Sequence, residues 1–104
     1  MKRMTFRELL LALSATKDEF NWSITEDGLA LRAEYEGGYW CPITAVCRLL
    51  TSETVLIDDW ERAAEVLDLP YLVATRIADA ADNLYRTDTS IREQLLKAVG
   101  LSKD

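Results

Sequence analysis

Histidine is absent from this chain of 104 residues, and a large share of ordinary enzyme chemistry goes with it. No Ser-His-Asp or Cys-His pair can be assembled, and histidine-based metal sites are excluded. Cysteine is scarce: Cys41 and Cys47 are the two present. Two thiols cannot complete a structural zinc tetrahedron, and their spacing is not that of a Cys-x-x-Cys redox pair. On one helix, steps of about 100° would set them on different faces, so no disulfide is expected between them, in keeping with a reducing compartment. Glycine and proline number four and two. Neither a Gly-x-Gly-x-x-Gly nor a Walker loop occurs, and Gly37-Gly38 is too short to cradle a phosphate. Apolar runs such as Leu9–Leu13 and Val55–Ile57 fall far short of the roughly 20 residues that span a membrane. Arg7 and Glu8 interrupt the stretch after Met-Lys-Arg-Met, so no signal peptide is read. These absences point to a cytoplasmic protein with no cofactor, no metal and no membrane partner.

What is present suffices for a core. Hydrophobic residues make up 49% of the chain, which argues against native disorder and fits one globular domain over residues 1–104. The formal net charge is −6, distributed unevenly. Glu53, Asp58, Asp59, Glu61, Glu65 and Asp68 are opposed in their stretch by Arg62 alone, while Lys2, Arg3 and Arg7 open the chain without an acid among them. Such a field disfavours nonspecific contact with nucleic acid or anionic lipid. It permits a basic protein partner; a solvated acidic helix that keeps the protein soluble is the plainer reading.

Periodicity predicts five helices and a hairpin. Thr5 and Glu8 form a capping box for a helix to about Lys17, with Phe6, Leu9, Leu10 and Leu13 on its buried stripe and Leu11 off it. Trp22 and Ile24, then Leu29, Leu31, Ala33 and Tyr35, alternate with polar residues around an Asp27-Gly28 turn, which reads as an antiparallel hairpin closed at Gly37-Gly38. Pro42 suits the first turn of a helix to about Thr51 that buries Ile43, Val46, Cys47 and Leu50. Asp58 and Glu61 look like the capping box of a helix from Asp59 to about Asp68. Leu69-Pro70 breaks the chain before a helix over about Tyr71–Arg86, with Ala74, Ile77, Ala78, Ala81, Leu84 and Tyr85 inward and an Asp82–Arg86 pair outward. Ser90 and Glu93 cap a last helix over about Ile91–Val99, with Gly100 as its C′ residue and Leu101 folding back. The class is mainly α (α+β), with the hairpin between the first two helices and no βαβ crossover.

Three functional readings compete. The first is a small non-enzymatic protein-binding module. Its surface joins Tyr39 and Trp40 to the acidic helix bearing Asp59, Glu61 and Glu65, since aromatics beyond the needs of a core mark interfaces. In general character it resembles small acidic bacterial or phage proteins that regulate or inhibit others. Leu11 and the aromatic hairpin also leave room for a homodimer. The second reading rests on residues 60–77, where Ala64, Leu67 and Leu69 follow the apolar pattern that resembles a helix-turn-helix. That resemblance implies DNA contact through Arg76, although Asp68 stands where glycine is usual and Asp79 and Asp82 follow on the same helix. The third is thiol chemistry at Cys41, whose place at a helix start would lower its pKa; a small residue closing the core is the competing account. Asp58, Asp79, Asp82 and Asn83 could suggest a cation site, but capping and helix-surface pairing already account for them.

Overall fold

A computed structural model describes residues 3–26, 30–53, 55–82 and 89–101. Among them, α1 (Phe6–Thr16) leads into β1 (Asn21–Ile24), β2 (Leu31–Tyr35) and β3 (Gly38–Trp40). Four helices follow: α2 (Pro42–Leu50), α3 (Trp60–Leu67), α4 (Tyr71–Asp82) and α5 (Thr89–Ala98). The mainly helical α+β class, with its antiparallel element between the first two helices, is as the sequence foretells. The Asp27-Gly28 turn, Leu29, Asn83, Leu84, Tyr85 and Arg86 lie outside the described residues.

The sheet has one strand more than expected, in the order β1-β2-β3. Glu36 and Gly37 both take positive φ, 48° and 78°, which is the two-residue geometry that reverses a twisted strand tightly. Glu36-Gly37 therefore turns the chain into β3, which starts at Gly38, where Gly37-Gly38 was expected to close the hairpin. Trp22 lies opposite Ala33, and Ala33 opposite Trp40, so these three form one row on the inner face. Phe20 closes that face, stacked 4.3 Å from Tyr35 and edge-on to Trp40 at 6.1 Å. Trp22 donates its indole N–H to Thr16 Oγ1 at 2.9 Å, and the Thr16 hydroxyl donates to the Leu13 carbonyl at 2.6 Å. This buried relay ties α1 to the sheet.

Helix α2 runs through the centre. Pro42 to Cys47 are buried without a break, so the helix is wrapped on every side and carries no simple stripe. Leu50, expected inside, is exposed because the wrapping ends one turn earlier. Around it pack α1, α3, α4 and the sheet, and one hydrophobic cluster draws residues from every helix and strand. Ala74, Ala78 and Ala81 of α4 are buried, as predicted.

The helix ends explain themselves chemically. The Thr5–Glu8 capping box forms, with both bonds at 3.1 Å. Asp68 stands at φ 56°, ψ 41°; its N–H reaches the Glu65 carbonyl at 3.1 Å and the Leu69 N–H reaches that of Ala64 at 2.9 Å. That pair of bonds is a Schellman motif, built here on Asp in place of Gly. Gly100, at φ 81°, makes the same motif with Leu101 bonded to Leu96, as foreseen. Two capping expectations shift. Asp59, one residue later than expected, caps α3 by accepting the Arg62 N–H at 3.1 Å. Ser90 is not a cap, because α5 already begins at Thr89. Arg92, unremarked in the sequence, donates to the Ala80 and Ala81 carbonyls and so closes the end of α4.

Candidate functional site

The chain leaving β3 enters α2 through Cys41, the N-cap of that helix. The end of β3 lies beside the start of β2, and the Ile57–Trp60 segment and α4 come up against them. A cleft of about 260 Å³ opens there, lined by Arg32, Tyr39, Trp40, Cys41, Ile57, Asp58, Trp60 and Asp82 among others. Thr44, fully buried, fixes two of its lining residues, Cys41 and Ile57, through their backbones. The Thr44 hydroxyl accepts the Cys41 N–H at 3.1 Å, and its own proton faces the Ile57 carbonyl at 2.9 Å and the Cys41 carbonyl at 3.1 Å. One side chain thus holds the helix start against the Ile57 loop.

The aromatic residues divide by role. Trp22 and Trp40 are buried, and Tyr35 is half-buried, so the cluster taken as an interface candidate is mostly core. Trp40 anchors its indole to the Tyr35 carbonyl at 3.1 Å and shows the cleft only an edge. Tyr39 alone faces out, 57% exposed, with the Arg32 guanidinium 5.8 Å over its ring. Trp60, missed as a site residue, stands on the opposite wall with Tyr71 6.0 Å from it. Ile57 and Leu56 extend this exposed apolar strip. Trp60 was legible only as a core position of α3, since its spacing fits the buried stripe.

The acidic residues also divide. Asp59 is committed to its cap, and Glu65 pairs with Arg62 at 3.0 Å on the solvent face of α3. Glu61 is exposed in the first turn. Asp58, relieved of the capping role expected of it, lines the cleft instead, opposite Asp82. Neither Asp58 nor Asp82 has a hydrogen bond or ion pair within 4 Å among the described residues. Burial raises the Asp82 pKa first of all, Arg32 pulls it back, Asp79 raises it and Arg92 lowers it.

The Cys41 thiol does not match its expected activation. Burial pushes its pKa up, the hydrogen bonds from Thr44 and the Ile43 backbone oppose that, and Asp82 adds to the rise. Its Sγ accepts the Thr44 N–H at 3.5 Å, so the sulfur serves as a cap and wall atom. Cys47 is buried, and both thiols are free. Among the described residues no group of three His, Cys, Asp or Glu side chains converges as metal ligands would.

Arg76 is exposed on α4 and does not line the cleft. Asp68, in the turn before α4 where glycine is usual in a helix-turn-helix, takes the left-handed conformation as the C′ residue of α3. Asp, like Asn, tolerates that region better than other residues with a Cβ. Elsewhere, Leu11 lies 68% exposed in a groove between α1 and α5, beside Leu10 and Ala98 and rimmed by Arg7 and Lys97. Among the described residues no helix is long and apolar enough to cross a membrane. Comparison with protein families, with curated proteins and with solved structures finds no match.

Proposed function

We propose that the protein is a non-enzymatic binding module that captures a basic segment of another protein in the cleft between Tyr39 and Trp60. The carrying observation is the juxtaposition there of the exposed Tyr39 and Ile57 and the half-buried Trp60 with two carboxylates, Asp58 and Asp82, that have no ion-pair partner among the described residues. Interfaces favour aromatic anchors with a polar rim, and a cleft that must be covered to be dry supplies both. The acidic face of α3, with Glu61 and Glu65, lies on the chain just beyond the cleft and draws basic partners toward it. The raised thiol at Cys41 supports a wall residue in place of a nucleophile. Two free cysteines and an acidic surface fit a cytoplasmic setting.

The test is capture of partners from native lysate, with and without nuclease, by the wild type and by Tyr39→Ala and Glu61→Lys. These two side chains are exposed and make no cap, so the fold survives. A stoichiometric protein that survives nuclease and is lost with Tyr39→Ala supports the reading. A partner held equally by all three proteins places the interface elsewhere.

The left-handed turn at Asp68 favours a second reading, a helix-turn-helix regulator reading DNA through α4. It predicts retardation of duplex DNA that weakens with added salt and disappears in Arg76→Ala. No retardation at low salt ends it.

A further inference from the structure

We infer that the cleft is a seat for one arginine side chain of the partner, held between the aromatic walls and the carboxylates of Asp58 and Asp82, and that Arg32 is the resident cation it displaces. This rests on the binding-module reading and narrows it to the chemistry of a single side chain.

Size comes first. The cleft holds about 260 Å³, under the roughly 300–1,000 Å³ of small-molecule sites, so it suits one long side chain and not a cofactor. Charge comes second. Asp58 and Asp82 stand on its wall against one lining cation, Arg32, and neither carboxylate is paired within 4 Å among the described residues. Ring faces come third. The electron-rich faces of Tyr and Trp attract a cation, and guanidinium, being flat and weakly hydrated, stacks on them better than ammonium. The structure already shows this chemistry at the site, because the Arg32 guanidinium lies 5.8 Å over the Tyr39 ring.

Arg32 itself is a poor permanent occupant. It is exposed, on the outward face of β2, and makes no ion pair within 4 Å with either cleft carboxylate. It is held by the Tyr39 ring and by the longer-range attraction of Asp82, without a direct carboxylate contact that would keep it from swinging out. An incoming guanidinium gains what Arg32 lacks, direct contact with a carboxylate as well as a ring.

The experiment titrates the whole protein with acetyl-arginine-amide, acetyl-lysine-amide and the neutral isostere acetyl-citrulline-amide. The readout is the backbone amides and the three tryptophan indole signals by NMR. Shifts at Trp60, Trp40, Arg32 and Asp82 with the arginine amide are expected, weaker ones with lysine and none with citrulline. The Trp22 indole, tied to Thr16 away from the cleft, should not move. Asp58→Asn and Asp82→Asn should each weaken binding about threefold, the size of a partly exposed charge contact. Arg32→Ala should strengthen it by a similar factor. No shift at the cleft, an equal response to citrulline, or weaker binding in Arg32→Ala overturns the proposal. Partner capture that depends on Tyr39 while the arginine amide fails to bind would retain the binding module and discard the arginine seat. The amide binding as expected while no partner is captured would do the reverse.

Discussion

Thr44 shows how much geometry one hydroxyl can fix. It is fully buried and serves three backbone groups, the Cys41 N–H and the carbonyls of Cys41 and Ile57. Thr44→Val keeps the volume but leaves these groups without their partner, so it should cost about 1–3 kcal/mol in chemical denaturation. Thr44→Ser, which retains the hydroxyl, should cost less; a larger loss in Ser than in Val would show that the packing of the methyl outweighs the hydrogen bonds. Asp82 predicts the opposite sign. Its folded pKa is raised, chiefly by burial and further by Asp79, against the pull of Arg32 and Arg92. Its protonated form is thus favoured by the fold, and its contribution to stability is full below the ordinary Asp value and lost as pH rises through the raised one. Asp82 remains exposed to solvent, which screens the effect, so Asp82→Asn should stabilise the protein only slightly near pH 7, with the gain vanishing in acid below about 3.9. Urea unfolding at both pH values measures this, and an Asn variant less stable at neutral pH would contradict the uncompensated carboxylate. A substitution that stabilises the fold yet weakens cation binding is the signature of a residue kept for function.

At the scale of elements, much of the fold is legible because capping and periodicity are local. Thr5 and Glu8, Pro42, Gly100 and the alanines of α4 each act through neighbours within a turn or two, and each does what its pattern says. What escaped depends on the chain elsewhere. Glu36 takes a positive φ that its chemistry resists, imposed because Trp40 must return beside Ala33 to complete the inner row, so β3 carried no local signal. The slip from Asp58 to Asp59 at the start of α3 came from two acids equally able to cap; Asp59 wins, and Asp58 is left to line the cleft. The site was half legible: Tyr39, Trp40 and Cys41 were singled out and Asp58 and Asp82 weighed for a cation, whereas Trp60 and Arg32 join them through tertiary packing alone. The turn supplies a test. Asn is better suited than Glu to the first position of this two-residue loop, and the Glu36–Arg48 pair that is lost, 3.9 Å long and exposed, is weak. Glu36→Asn should raise stability by about 0.5–1 kcal/mol in thermal or urea unfolding. A loss would mean that the turn relaxes away from positive φ in solution.

For the whole molecule, charge decides how copies meet. A two-fold dimer presses the same patch of both subunits together. The groove that exposes Leu11 is rimmed by Arg7 and Lys97, with no carboxylate among its lining residues, so such a contact there would set cation against cation. Joining that groove instead to the acidic face of α3 on another copy is head-to-tail, which needs several copies to form a ring or a filament, and the net charge of −6 on each opposes that growth. On the proposed reading the partner of the cleft is a different chain, and the protein alone should sediment as a monomer of 11.8 kDa at physiological salt. Raising the salt screens the Arg7–Lys97 repulsion, so it is the condition under which self-association through Leu11 would first appear. Sedimentation across a salt series checks both points. A dimer at low salt that disperses in Leu11→Glu would put the homodimer on the α1–α5 face despite its cations. A monomer throughout leaves the cleft, with its unpaired carboxylates and the exposed Tyr39 ring, as the surface on which binding is to be sought.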